Sequence, residues 1–417
     1  MLRYGWTISA LLMTSAMVSA ALPTGYTPTV TVSDATRLDW VFAVSNRSPA
    51  KAPTDLLSAD YDSKKQGYEL FLPVRKNVKT PMPAVVFVSA GNDPGGWKAF
   101  EPICKELGIV FIGVRGAGNN VKLADRCRII LDCLDDVRRQ VPLDPDRTYI
   151  SGFSGGGRIA CAIGFALPEL FGGIMPIVAG GELRSEPWLR HRAIDRLSAA
   201  MITGESDFNR GEVERWAGPY WIGIGIRTKV WVQPKSGHAM PSPDTITEVV
   251  KWLEAGKDRR IALAKQSPAS RSAITDVATR DQFATALFAE AKQKIASPVM
   301  LHRGLMLAKG VMERWPDTES GKAARTLLEG YEAQKGQPWE VDDVAELRRD
   351  LLFKARGLSD YVVNGIPANS PYTKMRPEMA GKAIEWWSAL IEDSPNSDVA
   401  KEGKKWIGEL KPIAGKK

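Results

Sequence analysis

The chain has 417 residues, of which 44% are hydrophobic and 25% are charged, as is typical of globular proteins. Its net charge is +8, but basic and acidic residues are interleaved without a dense basic block, which argues against a nucleic-acid-binding surface. With only three histidines, and four cysteines that form no CxxC pair, a zinc cluster is not expected. We predict no metal and no cofactor.

The first 20 residues have the pattern of a secretory signal peptide. Arg3 is the only charged residue among them, an apolar run covers residues 6–18, and the residues before Ala21 fit cleavage after Ala20. An uncleaved membrane anchor is the alternative, but the run is shorter than the roughly 20 residues that a spanning helix needs. We therefore predict an exported protein, either periplasmic or secreted.

Residues 21–65 are polar and rich in turns, and we interpret them as an N-terminal extension. Residues 66–256 then alternate between strand and helix patterns. The predicted strands are 68–74, 83–88, 109–114, 147–151, 173–178, 199–203 and 228–232, and the main predicted helices are 97–107, 121–141, 158–167 and 245–255. This alternation predicts an α/β domain with a doubly wound, mostly parallel sheet.

Residues 257–417 show almost no strand pattern and are predicted to be all helical. Segments 315–318 and 394–397 align as a weak repeat, in which a proline ends one helix and a polar residue caps the next. The region resembles tetratricopeptide-like helical units only loosely, and we expect a protein partner to bind through it.

The four cysteines lie in segments predicted to be helical or to flank helices. Export would permit a disulfide between two of them, and four buried thiols are the alternative. The sequence does not distinguish the two for Cys104, Cys127, Cys133 and Cys161.

Residues Gly152-Phe153-Ser154-Gly155-Gly156 form a GxSxG pattern. The pattern lies between a predicted strand and a predicted helix, where such a turn lifts the serine hydroxyl into the open. A plain glycine turn is the alternative. The context favours Ser154 as a nucleophile, which needs a base to take its proton.

Three histidines are candidates for that base. His302 lies on a predicted helix of the C-terminal region, and His191 lies in an arginine-rich segment. His238 follows a predicted strand, at the end of the sheet where open α/β folds place their sites. We predict that His238 is the base.

The base in turn needs a carboxylate to orient it. Asp207 follows the predicted strand 199–203 and is our prediction, with Glu205 as its nearest rival. Asp244 follows His238 in the chain, and we expect it to cap the next helix. The resulting chain order of Ser, Asp and His is the one found in α/β-hydrolases.

An oxyanion hole requires two backbone N–H groups. We predict that Gly155, which follows the nucleophile, gives one and that Gly91, in the loop after the strand at 83–88, gives the other. An ordinary loop is the alternative at Gly91.

Segments 144–157, 203–207 and 237–238 resemble α/β-hydrolase esterases related to polyhydroxybutyrate depolymerases and to feruloyl and acetylxylan esterases. The resemblance covers about residues 68–256 and implies ester hydrolysis through an acyl-enzyme, without a metal. One departure concerns the oxyanion loop, where the family often has His-Gly and this chain has Ser89-Ala90.

We therefore predict a carboxylester hydrolase that acts on a small-molecule or polymer-linked ester. A prolyl-oligopeptidase-like peptidase and a non-catalytic hydrolase-fold binding protein are the alternatives. Trp188, Trp216, Tyr220 and Trp221 either line a substrate cleft or pack in the interior.

Overall fold

The computed structural model describes residues 22–45, 48–75, 77, 79–184, 186–266, 279–297, 300–333, 339–366, 371–393 and 395–415. The predicted signal peptide, residues 1–20, lies outside them. The strands are β1 (Gly25–Thr31), β2 (Gly67–Leu72), β3 (Met82–Val88), β4 (Val110–Val114), β5 (Leu143–Phe153), β6 (Gly173–Ile177), β7 (Ser198–Gly204) and β8 (Arg227–Gln233).

These eight strands form one sheet in the order β1-β2-β4-β3-β5-β6-β7-β8. Strands β3 to β8 run parallel to one another, whereas β2 is antiparallel to both β1 and β4. The parallel strands β3, β4, β6 and β7 are buried along their whole length, as a sheet covered on both faces requires. This arrangement confirms the predicted doubly wound, mostly parallel α/β fold.

Helices cover both faces of the sheet. They are α1 (Trp40–Val44), α2 (Trp97–Leu107), α3 (Leu123–Gln140), α4 (Gly155–Ala166), α5 (Pro187–Arg196), α6 (Arg210–Arg215) and α7 (Pro243–Ala255). Apolar residues of α2 and α7 pack on one face, and those of α3, α4 and α5 pack on the other. The predicted helix at 158–167 begins earlier, at Gly155, because the chain enters α4 directly from the turn at Ser154.

Strand β1 lies inside the segment that we predicted as an N-terminal extension. Its residues are mostly exposed or half-buried, so the sequence shows no regular apolar alternation. The strand contains Pro28, which is tolerated because β1 is an edge strand. The sheet therefore begins at Gly25 rather than after residue 65.

The rest of this N-terminal segment is attached to the acidic side of α3. Aspartates 125, 132, 135 and 136 of α3 are all buried. They accept hydrogen bonds from backbone and side-chain groups of residues 33–61, among them Ser33, Arg37 and Tyr61. Buried carboxylates need such donors, so the segment is part of the folded α/β unit.

All secondary structure described beyond residue 256 is helical. The helices are α8 (Lys257–Gln266), α9 (Arg280–Ile295), α10 (Leu301–Arg314), α11 (Glu319–Glu332), α12 (Trp339–Asp360), α13 (Arg376–Asp393) and α14 (Asp398–Ala414). The hydroxyls of Thr318 and Ser397 cap α11 and α14, as the two aligned segments predicted. Among the described residues, no helix is both long and apolar enough to cross a membrane.

The helical region divides into two parts by its packing. Apolar residues of α9, α10 and α11, such as Phe283 and Val311, join the same core as α3 and α4. Helices α12 to α14 instead form a cluster of their own around Trp387. The boundary that we predicted at residue 257 marks the end of the α/β pattern, but the hydrophobic core continues across it.

Buried ion pairs connect the α/β unit to α9 and α10, and we call this contact the seam. The guanidinium of Arg314 contacts the carboxylates of Asp39, at 2.8 Å, and Glu169, at 2.9 Å. On the neighbouring helices, Glu290 pairs with Arg192 and Lys294. The side chains of these six residues are all less than 10% exposed.

All four cysteines are buried free thiols. Cys104 lies in the core on one face of the sheet, whereas Cys127, Cys133 and Cys161 lie in the core on the other face. Burial raises the pKa of each thiol, that of Cys127 to about 12. These thiols are therefore protonated at neutral pH and are poor nucleophiles.

Candidate active site

Ser154 lies in a tight turn between β5 and α4. Its backbone is in a strained conformation with φ 53° and ψ −118°. The turn also demands small neighbours, because a Cβ at Gly152 would lie 2.3 Å from the backbone of Gly156, and a Cβ at Gly156 would lie 2.0 Å from the oxygen of Val88. The glycines of the GxSxG pattern thus allow β3, β5 and α4 to meet beneath the serine.

The structure brings the three predicted triad residues together. His238 lies in the loop between β8 and α7, and its Nε2 is 2.9 Å from Ser154 Oγ. Its Nδ1 is 2.8 Å from Asp207 Oδ1. Because an ionised carboxylate only accepts hydrogen bonds, Nδ1 donates to Asp207, and Nε2 is left to accept the proton of Ser154.

Asp207 is held by two donors besides His238. The hydroxyl of Thr203 donates to its Oδ2 at 2.9 Å, and the backbone N–H of Asn209 donates to its Oδ1 at 3.0 Å. The Asp207 side chain is fully buried, so these bonds fix the carboxylate in one orientation. Thr203 carries no signal in the sequence beyond its place at the end of a predicted strand.

The other acid candidates have different partners. Glu205 accepts a hydrogen bond from the backbone N–H of Lys235 and thereby supports the loop that leads to His238. Asp244 lies within the first turn of α7, and the N-cap of that helix is Ser242, which accepts from Thr245. Our expectation that Asp244 caps this helix was wrong, because the helix begins at Pro243, two residues before the predicted start at residue 245, so Asp244 lies inside it.

The two remaining histidines lie away from this site. His191 is on α5 and His302 is on α10, and their rings contact each other with centroids 6.2 Å apart. They pack where the helical region meets the α/β unit, so His238 is the histidine that the fold brings to Ser154.

Two phenylalanines flank the imidazole of His238. Phe208 stacks on it with ring centroids 4.2 Å apart, and Phe153 packs at 5.2 Å. Phe208 is 78% exposed, which is unusual for a large apolar side chain. Sequence reasoning missed this contact, although Phe208 directly follows the predicted acid.

The predicted oxyanion donors lie on two segments near the serine. Gly155 is the first residue of α4, where N–H groups have no partner within the helix. The N–H of Gly91 donates to the hydroxyl of Ser89 at 3.1 Å, so this donor must leave Ser89 before it can bind an oxyanion. Their role in catalysis stays a prediction, as does that of the triad.

The four aromatic residues that we considered for a cleft divide into two groups. Trp188 and Trp221 are buried in the main core, which favours the packing alternative for both. Trp216 and Tyr220 are half-buried and contact each other with centroids 4.7 Å apart. The Tyr220 hydroxyl donates to the backbone oxygen of Gly357 on α12, so this pair lies next to the helical region.

Within the described residues, no group of three or more His, Cys, Asp or Glu side chains is arranged to hold a metal ion. The polar groups around Ser154 have the composition of a site for acid–base and nucleophilic chemistry, in which the protein's own side chains move the protons.

No protein-family model and no curated protein matches the chain. Several solved structures resemble it. One is an S-formylglutathione hydrolase from Staphylococcus aureus, which is 15% identical and has a TM-score of 0.37; the match covers 45% of this chain and 92% of that chain. A bacterial heroin esterase has 16% identity, with coverage of 50% and 86% and a TM-score of 0.36. Est1E from Butyrivibrio proteoclasticus has 12% identity, with coverage of 48% and 97% and a TM-score of 0.37. The fold of this chain, an eight-stranded and mostly parallel sheet, is established by its own strand order and pairing.

Proposed function

We propose that the protein is a serine hydrolase that cleaves carboxylic esters through an acyl-enzyme on Ser154. The observation that carries this proposal is the continuous chain of hydrogen bonds from Asp207 through His238 to Ser154, at 2.8 and 2.9 Å. Three residues from separate loops meet in the geometry that activates a serine.

The geometry supports a two-step reaction. Ser154 Oγ attacks the ester carbonyl carbon while His238 Nε2 takes the serine proton, and the carbonyl π electrons move onto the oxygen. The C–O bond to the alcohol then breaks, and His238 returns the proton to the leaving alcohol. Water then attacks the acyl carbon while His238 takes its proton, the C–O bond to Ser154 Oγ breaks, and His238 returns the proton to Ser154, which releases the acid and restores the enzyme.

Asp207 orients the imidazole and stabilises its positive charge while the proton is on Nε2. The N–H of Gly155, in the first turn of α4 where N–H groups lack a partner within the helix, is a donor for the oxygen that becomes negative. The strained backbone at Ser154 supports a catalytic role, because a conformation of this kind costs about 1–3 kcal/mol and is kept mainly at functional sites.

The proposal is tested by steady-state hydrolysis of a panel of p-nitrophenyl acyl esters and aminoacyl p-nitroanilides. We expect turnover of esters that is lost in Ser154→Ala, and faster turnover of esters than of matched amides. Preference for the amides would favour the peptidase alternative. A folded wild-type chain that cleaves neither class would favour the non-catalytic binding protein.

We also propose that the protein is exported, and the support for this is the signal-peptide pattern of residues 1–20. N-terminal sequencing of protein from a periplasmic extract tests it, with Ala21 as the expected first residue. Recovery of the full-length chain from the membrane fraction would instead indicate an uncleaved anchor. The predicted protein partner of the helical region stays a prediction.

A further inference from the structure

We propose that Asn119 is a catalytic residue of this site: its side-chain amide donates a hydrogen bond to the ester oxygen that becomes negative in the transition state. The inference rests on the serine hydrolase activity proposed above and adds a donor to it. Asn119 belongs to a loop that connects β4 to α3 and matches no motif in the sequence.

The position of the amide is fixed by its contact with Gly155. A Cβ at Gly155 would lie 1.8 Å from Asn119 Oδ1 and 2.6 Å from Nδ2, so the amide fills the space that any other side chain would take. The Cα–Cβ direction of a helical residue tilts toward the N-terminus of its helix. The amide therefore lies at the end of α4 that carries Ser154 and the unpaired N–H of Gly155.

The backbone of Asn119 is attached to the other side of the oxyanion hole. Its N–H donates to the oxygen of Ala90 at 2.8 Å, one residue before the predicted donor Gly91. The adjacent Gly118 donates to the side chain of Asn92 at 3.1 Å. These bonds hold the Asn119 loop against the 89–92 loop, so the amide lies between the two segments that carry the predicted backbone donors.

The chemistry of the amide suits this position. Asn119 is an exposed residue, as a group that contacts a bound substrate must be. Half a turn of the amide exchanges its oxygen and nitrogen and presents an N–H donor at the same place. A neutral donor gains most as negative charge develops on the oxygen, and it supplements Gly91, whose N–H is bonded to Ser89.

The test compares wild type with Asn119→Ala, Asn119→Asp and the control Asn120→Ala, which changes the exposed neighbouring asparagine. We measure kcat and KM for a p-nitrophenyl ester, the inhibition constant of an aryl boronic acid that forms a tetrahedral adduct, and thermal unfolding. Asn119→Ala is expected to lower kcat by roughly 10²-fold, since one oxyanion donor is lost, with little change in KM. Asn119→Asp should lower it further because its carboxylate repels the oxyanion.

A second comparison uses the space beside Gly155. In Gly155→Ala the new Cβ displaces the amide, so kcat should fall. In the double variant Gly155→Ala/Asn119→Ala, kcat should be little lower than in Asn119→Ala alone, because both substitutions remove the same hydrogen bond. Weaker boronic acid inhibition in Asn119→Ala but not in Asn120→Ala also supports the inference.

Three results would overturn the inference. The first is an active wild type with equal kcat in Asn119→Ala and Asn120→Ala, which leaves the proposed function intact. The second is a wild type that hydrolyses no ester, which removes the proposed function and this inference together. A parallel rise in KM with unchanged kcat would also contradict it, because that pattern indicates substrate binding alone.

Discussion

The active site and the seam both bury charged groups, but they use them differently. At the active site, the carboxylate of Asp207 is fully buried and contacts an imidazole that is 19% exposed. At the seam, Arg314 and its two carboxylate partners are each at most 3% exposed. Partly exposed charged groups can take part in a reaction, whereas the enclosed charges of the seam stabilise the packing of the helices.

This comparison predicts that substitutions at the two regions affect different properties. Changes at the active site should lower turnover and leave the free energy of unfolding nearly unchanged. Changes at the seam should lower the free energy of unfolding and leave the turnover of the folded molecules nearly unchanged.

The largest effect is expected for Asp207→Asn. The amide cannot hold the His238 tautomer that accepts the proton of Ser154, so kcat should fall by roughly 10⁴-fold. Ester hydrolysis is measured beside the control Glu205→Gln, whose side chain bonds to the Lys235 N–H instead of to His238. Comparable losses in the two variants would contradict the assignment of Asp207.

At the seam, Arg314→Met should lower the free energy of unfolding by about 3–5 kcal/mol, because two buried carboxylates lose their common cation. Arg303→Met is the matched control: its side chain is 34% exposed and pairs with Asp195, so a loss below about 1 kcal/mol is expected. Urea unfolding gives both values. If Arg314→Met were as stable as Arg303→Met, the seam would not depend on this ion pair.

The seam should also make stability dependent on pH. Burial alone would raise the pKa of Glu290, but the charges of Arg192 and Lys294 outweigh it and hold the pKa at about 2. An unfolded glutamate has a pKa of about 4.3, so the stabilisation is complete above that pH and is lost as the pH falls toward 2. Its size at neutral pH is on the order of 3 kcal/mol.

Urea unfolding between pH 7 and pH 3 measures this dependence. In Glu290→Gln the acid-induced loss of stability should become smaller, whereas Glu329→Gln, an exposed change on α11, should behave like wild type. Identical pH profiles for wild type and Glu290→Gln would contradict the prediction.

The smallest effect is expected for Phe208→Ala. Its ring stacks on His238 and stabilises the imidazolium by about 0.5–1 kcal/mol, so kcat should fall roughly two- to five-fold. Phe208→Tyr retains the ring and should restore the rate. Equal kcat values in wild type and Phe208→Ala would show that the stacking does not contribute.

The sequence predicted those parts of the fold and site that have a local pattern. Buried strands such as β3 are continuous apolar runs, and their predicted bounds differ from the observed ones by a few residues. The positions of Ser154, Asp207 and His238 follow from the same rule, because the carboxyl ends of parallel strands meet at one edge of the sheet.

The features that the sequence did not predict depend on contacts between distant segments. Strand β1 is an exposed edge strand without regular alternation, and the buried aspartates of α3 look like a solvent-facing side until residues 33–61 cover them. Asn119 reaches Gly155 only because the loops after β3 and β4 are bonded to each other. In each case the partner is a backbone group or a residue far along the chain.

The most direct test of the central claim is covalent labelling of the folded protein with a fluorophosphonate, followed by intact-mass and peptide mass spectrometry. An activated serine reacts with this reagent, so we predict one adduct per chain, on Ser154, and none in Ser154→Ala. A folded wild-type chain that takes up no label, or a label that persists in Ser154→Ala, would contradict the assignment of Ser154 as the nucleophile.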